Sequence, residues 1–95
     1  MTKNINLVKY SRRFEKQIKK APLEVKITFL KRRKLFLKNH FHPLLNNHIL
    51  TGEYSGKRSI NITGDWRAIY SETKDTKGQT IIIFEVLGTH SQLYK

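Results

Sequence analysis

The 95-residue chain sets 19 Lys+Arg against 7 Asp+Glu, a formal net charge of +12, and contains no cysteine. That length allows one domain with a thin core, and the missing thiols exclude a disulfide framework, thiolate chemistry and cysteine-ligated zinc. The charge calls for a polyanionic partner: nucleic acid first, an acidic protein or an anionic membrane surface otherwise.

The N-terminal MTKNINLVKYSRRFEK has none of the apolar core of a signal peptide. No segment approaches the roughly 20 apolar residues of a membrane span. A cytoplasmic protein with no membrane partner is expected, one domain over residues 1–95.

In chain order, weak alternation over residues 4–9, beginning at Asn4, predicts a short first strand. Ser11 is a cap for a helix over about 11–20, with Phe14, Ile18 and Ala21 on one face. Pro22 ends that helix and opens a second that runs to about Lys38. In it Val25, Phe29 and Phe36 form one apolar stripe with Leu30 and Leu37 beside it, and Lys26, Lys31, Arg32, Arg33, Lys34 and Lys38 form the other face. Residues 39–56, NHFHPLLNNHILTGEYSG, read as a loop.

Three strands follow, Lys57–Thr63, Asp65–Thr73 and Gln79–Leu87, joined by a Thr63-Gly64 turn and a polar hairpin loop. The last, QTIIIFEVL, is almost continuously apolar, as a strand covered on both faces should be. The order β-α-α-β-β-β predicts an α+β fold: a helical hairpin on one face of a small, mainly antiparallel four-stranded sheet, the other face partly open.

Nucleotide loops, the H-E-x-x-H zinc motif and the EF-hand loop are missing. Scattered acids do not suggest a two-metal nuclease, so no metal or cofactor is expected. Of the four histidines, His40 and His42 read as polar loop residues. His48 precedes the sheet and His90 follows the last strand in G-T-H; loops at strand ends often carry function. Metal-free RNA cleavage needs a base for the ribose 2′-OH, an acid for the leaving 5′-oxygen and a cation for the phosphorane. Histidine, lysine and arginine supply these.

Four segments then occur in order: Asn47-His48-Ile49-Leu50-Thr51-Gly52, Gly56-Lys57-Arg58-Ser59-Ile60, Gly64-Asp65-Trp66-Arg67-Ala68-Ile69-Tyr70 and Leu87-Gly88-Thr89-His90-Ser91-Gln92-Leu93-Tyr94. Over about residues 43–95 the chain resembles the YafQ branch of the RelE/ParE toxin superfamily, the G-[TS]-H-x-x-L-[FY] ending being the most diagnostic part. The resemblance implies the fold read above, an endoribonuclease that cuts mRNA on the ribosome, contacts to ribosomal RNA, and a cognate acidic antitoxin. It makes His90 and His48 the complementary proton-transfer groups, Asp65 a residue that orients or tunes a histidine, and Tyr94 an aromatic for base stacking.

Some members carry Asp and His where this chain has Ser59 and Asn61. Asn61 can bond a phosphate oxygen but cannot shuttle protons at neutral pH. Lys57 alternates onto the face of Ser59 and Asn61 and is a phosphate contact, as is Arg67. Arg58 alternates onto the opposite face, where packing and RNA contact are equal alternatives. Trp66 reads as core. Two other readings stand beside the ribonuclease: a non-nucleolytic toxin of this fold acting on DNA gyrase, and a basic RNA- or DNA-binding module.

Overall fold

In a computed structural model, the structure describes residues 5–94; Asn4, where the predicted first strand begins, lies outside them. Strand β1 spans Ile5–Tyr10, helix α1 Arg12–Lys20 and helix α2 Leu23–Lys38. Strands β2 (His48–Ile49), β3 (Arg58–Asn61), β4 (Trp66–Lys74) and β5 (Thr80–Thr89) follow, then a final turn of helix, α3 (His90–Leu93). One sheet has the order β1-β5-β4-β3-β2. All its pairings are antiparallel except β1 with β5.

The expected α+β fold is present with two corrections: the last strand runs past Leu87 to Thr89 and into α3, and the sheet has five strands, because His48–Ile49 forms an edge strand inside the predicted loop. Two residues are too few to show a period in sequence.

Ser11 caps α1, its side chain accepting from the Phe14 N–H at 3.0 Å, as the sequence predicts. Ala21 ends α1 and Pro22 caps α2, a position where the missing proline N–H costs nothing. Phe14, Val25, Phe29 and Phe36 turn inward onto Ile60, Ala68, Tyr70, Ile82, Phe84 and Leu87 of the sheet. Ring centroids of Phe14, Phe29 and Phe36 lie 5.2–5.9 Å from that of Phe84. Aromatic clustering gives a small domain the apolar area it needs. Leu30 and Leu37, placed beside the buried stripe by their sequence position, are 53% and 42% exposed.

The second sheet face is less open than expected. Leu50, Tyr54 and Leu93 cover Ile69 and Val86, with Tyr94 packed against them.

Between Tyr70 and Ile69 the β4–β5 register slips, pairing Tyr70 with Phe84 and Ile69 with Val86, so Glu85 is an extra residue. This bulge swaps the faces of the strand: Ile82 and Phe84 lie under the helices, whereas Val86 lies on the other side. β1 ends opposite Phe84, and α1 takes over the edge of β5 from there. The Ser11 N–H donates to the Phe84 carbonyl, the Ser11 hydroxyl to the Glu85 carbonyl, and the Leu87 N–H to Gln17 Oε1. The backbone groups freed by the bulge are thus satisfied by the helix that follows β1.

Candidate nucleic-acid site on the sheet face

Residues opposed in an antiparallel ladder share a face. One row across the face away from the helices is His48, Ser59, Ile69, Val86. The next is Asn61, Arg67, Gly88. Beyond it the ladder continues where the His90 N–H donates to the Asp65 carbonyl at 2.9 Å. Asp65, His90, Asn61, Arg67 and Tyr94 therefore gather at one corner. His48 stands at another: three strands away, about 14 Å, and four residues along, about 13 Å. Asp65 and His90 meet through main chain; among the described residues no hydrogen bond joins their side chains, and both are exposed.

The G-T-H-S-Q-L segment builds its corner by simple means. Thr89 and Gln92 form a reciprocal capping box, Thr89 Oγ1 accepting from the Gln92 N–H and Gln92 Oε1 from the Thr89 N–H. Leu93 enters the core on this face. Gly88 is needed for close approach: a Cβ there would lie 3.1 Å from Gln92 Oε1 and 3.2 Å from Leu93 Cδ2. The His90 ring, on the first helical residue, meets the Tyr94 ring edge-on at 4.9 Å. Tyr94 is half-buried, so its ring is a platform only in part.

His48 is set by the loop before it. Asn46 adopts a left-handed conformation (φ 45°) tolerable for asparagine. Its carbonyl lies 2.8 Å from His48 Nδ1. A carbonyl only accepts, so Nδ1 carries the proton and Nε2 holds the lone pair of the neutral ring. Asn47 ties the loop to the core: its Nδ2 donates to the His40 carbonyl (2.9 Å) and the Tyr70 hydroxyl (2.8 Å), and its Oδ1 accepts from Arg58 Nε (2.7 Å). Burial pushes the Tyr70 hydroxyl above its ordinary pKa, against the Asn47 hydrogen bond and the Arg58 charge. His40 stacks on Phe36 at 4.5 Å.

The cations divide by face. Arg58 lies on the helix side, bonded to Asn47 and 5.3 Å above the Phe41 ring. Arg67 Nη1 donates to the carbonyls of Thr63, Gly64 and Trp66, so it staples the turn before β4. Trp66 packs against the core, as read from sequence. Lys57 is paired with Glu85 at 2.9 Å, and Glu85 also accepts from Ser71 Oγ. Burial raises the Glu85 carboxyl, but the Ser71 hydrogen bond and the Lys57 charge outweigh it and hold the group below the ordinary range. Glu85 escaped the sequence reading; its one signal was a lone acid inside an apolar run.

Three polar atoms, Ser59 Oγ, Asn61 Oδ1 and Tyr94 OH, are buried on or against this face with no hydrogen-bond partner among the described residues. No three His, Asp or Glu side chains among those residues cluster as metal ligands do.

The model of the YafQ toxin family, bacterial toxins of type II toxin–antitoxin systems, matches residues 6–95. The chain belongs to the YafQ family. Solved structures agree with that membership. YafQ from E. coli strain BL21(DE3) superposes with a TM-score of 0.70 at 24% identity, over 93% of this chain and 97% of that one. In the E. coli DinJ–YafQ toxin–antitoxin complex the matched chain is 28% identical, with a TM-score of 0.64 over 93% and 96%. The RelE of an archaeal RelE–RelB complex from Pyrococcus horikoshii shares the fold at 21% identity and a TM-score of 0.68, over 93% and 98%. No curated protein sequence gives a significant match. Within this YafQ-family chain the family ending is the capped α3 turn, and its histidine is the exposed first residue of that turn.

Proposed function

We propose that this YafQ-family toxin is a metal-independent, ribosome-dependent endoribonuclease that cleaves mRNA and is held inactive by a cognate acidic antitoxin. The observation that carries the reading is the corner at the end of β5, where an exposed His90 sits beside Asp65 on the face that also carries Asn61, Arg67 and Tyr94. In the reaction a base takes the 2′-OH proton, the 2′-oxygen attacks phosphorus, and the P–O5′ bond breaks as an acid protonates the leaving oxygen. The products are a 2′,3′-cyclic phosphate and a 5′-OH. His48, with its lone pair on Nε2, is the base; His90 is the acid; Asp65 supports the imidazolium.

The corner-to-corner separation requires one histidine to move toward the phosphate when RNA binds. His48 is the one to move: its two-residue edge strand is held by few pairings, whereas the His90 turn is fixed by its capping box and Leu93. Lys57 and Arg67 supply positive charge to the phosphorane, and Tyr94 offers its exposed part to a base. The +12 charge favours ribosomal RNA and an acidic antitoxin segment that folds on binding.

The test is expression of wild type, His48→Gln and His90→Gln in growing cells, with primer extension on a translated reporter mRNA. Discrete new 5′ ends and growth arrest with wild type, reduced about 100-fold or more in each variant, are expected. Arrest that persists in both variants without mRNA cuts would overturn the ribonuclease and favour a gyrase-type target.

A further inference from the structure

Glu85 is a carboxylate on the candidate RNA face that the proposed chemistry does not use. Its surroundings form a row of their own. Val8 and Tyr10 of β1 pack against the core under the helices, so alternation puts Lys9 on the opposite face. Lys9 pairs with Ile83, and Ile83 with Ser71. Arg58 pairs with Tyr70, so Lys57, one residue earlier, completes the row beside Ser71. The bulge adds Glu85: one oxygen of its carboxylate meets Lys57 Nζ at 2.9 Å and the other accepts from Ser71 Oγ. Two residues, about 7 Å, separate this row from that of His48 and Ser59.

A carboxylate here repels the phosphates that a +12 chain otherwise attracts. Neutralising Lys57 is a weak reason for it, because a partly exposed ion pair contributes little. Toward nucleic acid a carboxylate has another use: it accepts from the N–H groups of bases, which phosphates lack. An ionised carboxylate has about four acceptor positions. Lys57 and Ser71 take one on each oxygen, leaving one on each, and the Lys57 and Glu85 side chains are 32% and 26% exposed. Two free positions side by side call for two adjacent donors on one base edge. Guanine has them, N1–H and the N2 amino group, and its O6 beside N1 can accept from a further N–H of Lys57. Adenine sets its acceptor N1 against the carboxylate, uracil flanks one N–H with two carbonyls, and cytosine sets an acceptor beside its single amino group. Burial raises the Glu85 carboxyl, but the Ser71 and Lys57 contacts lower it more, so both oxygens remain acceptors at neutral pH. Half-buried Ile83 gives the base an apolar neighbour, and exposed Lys9 ends the row with a cation for the strand's phosphates.

We propose that Glu85, held by Lys57 and Ser71, is a guanine-reading subsite that sets a guanine at a fixed distance from the cut. The proposal rests on the RNA reading above.

The probe is a fluorescein-labelled, uncleavable 2′-O-methyl heptauridine whose central nucleoside is uridine, guanosine, inosine, adenosine or cytidine, read by anisotropy at about 50 mM salt. Inosine keeps N1–H and O6 and lacks only the N2 amino group. Wild type should bind the guanosine oligonucleotide about tenfold or more tighter than the other four. Glu85→Gln should lose that preference and, lacking the negative charge, bind the all-uridine oligonucleotide more tightly than wild type does. A purely structural Glu85 would not link the two changes. A guanine preference that survives Glu85→Gln, inosine bound as well as guanosine, or a preference for another base overturns the proposal. Equal binding of all five overturns it too and leaves the RNA reading standing. If no oligonucleotide binds, the reporter mRNA decides: wild-type cuts should share a guanine at one fixed offset, and Glu85→Gln cuts should not. Cuts without that guanine remove the subsite alone; no cuts remove it together with the ribonuclease.

Discussion

Ser59 is fully buried, and its hydroxyl has no partner among the described residues. Burying an unsatisfied hydroxyl is costly. Ser59→Ala should therefore stabilise the fold by about 1 kcal/mol, seen as a higher urea midpoint at unchanged m-value; a lower midpoint would mean that the hydroxyl is bonded in solution. Glu85 is the converse case, a carboxylate whose partners hold its pKa down. A depressed folded pKa adds stability that is present above the ordinary glutamate range and is lost as pH falls through the lower folded value. Wild type should lose thermal stability across that window, and Glu85→Gln, already lacking the charge, should lose less. Equal acid profiles would show that the Lys57–Glu85 pair contributes nothing at this partly exposed position. The pair also sets Lys57 on the candidate face before any phosphate arrives.

Among the elements, α3 is the most economical. Four residues are held by one capping box, one buried leucine and the Asp65 carbonyl. Gly88→Ala would push a methyl into Gln92 and Leu93 and displace the turn by tenths of an ångström. Chemistry is more sensitive to such a shift than folding is. mRNA cleavage by Gly88→Ala should fall about tenfold or more while the protein remains folded by circular dichroism; full activity would show that His90 tolerates that displacement. The α1 start does two tasks at once, since Ser11 both caps the helix and satisfies the bulge carbonyl of Glu85.

At the scale of the molecule, charge governs association. The cations are spread over the outer face of α2, the sheet and the turns, and a single ion pair is formed among the described residues. RNA affinity should therefore fall steeply with salt, by about 0.7 log units per log unit for each phosphate neutralised on a single strand. Filter binding between 50 and 300 mM salt gives the slope. A slope near zero would remove phosphate contact from the function. Lys57→Ala should reduce that slope by less than one phosphate, because Glu85 already offsets the Lys57 charge.

The sequence by itself determined the order of the two long helices and of four of the five strands, the Ser11 cap, the Pro22 break, the inward phenylalanines and the family ending, because each depends on neighbours within a few residues or on a period repeated along one element. It placed Lys57, Ser59 and Asn61 on one face and Arg58 on the other by the two-residue period of a strand. Only the tertiary structure decided the rest. The β5 bulge at Glu85, the Lys57–Glu85 pair, the Asn47 bracket and the separation of His48 from His90 join residues 11 to 28 positions apart or more across the sheet, and no local pattern encodes which partner a lone acid or amide will find. Leu30 and Leu37 of α2 were in the letters, but only the packed sheet reveals that they are left uncovered.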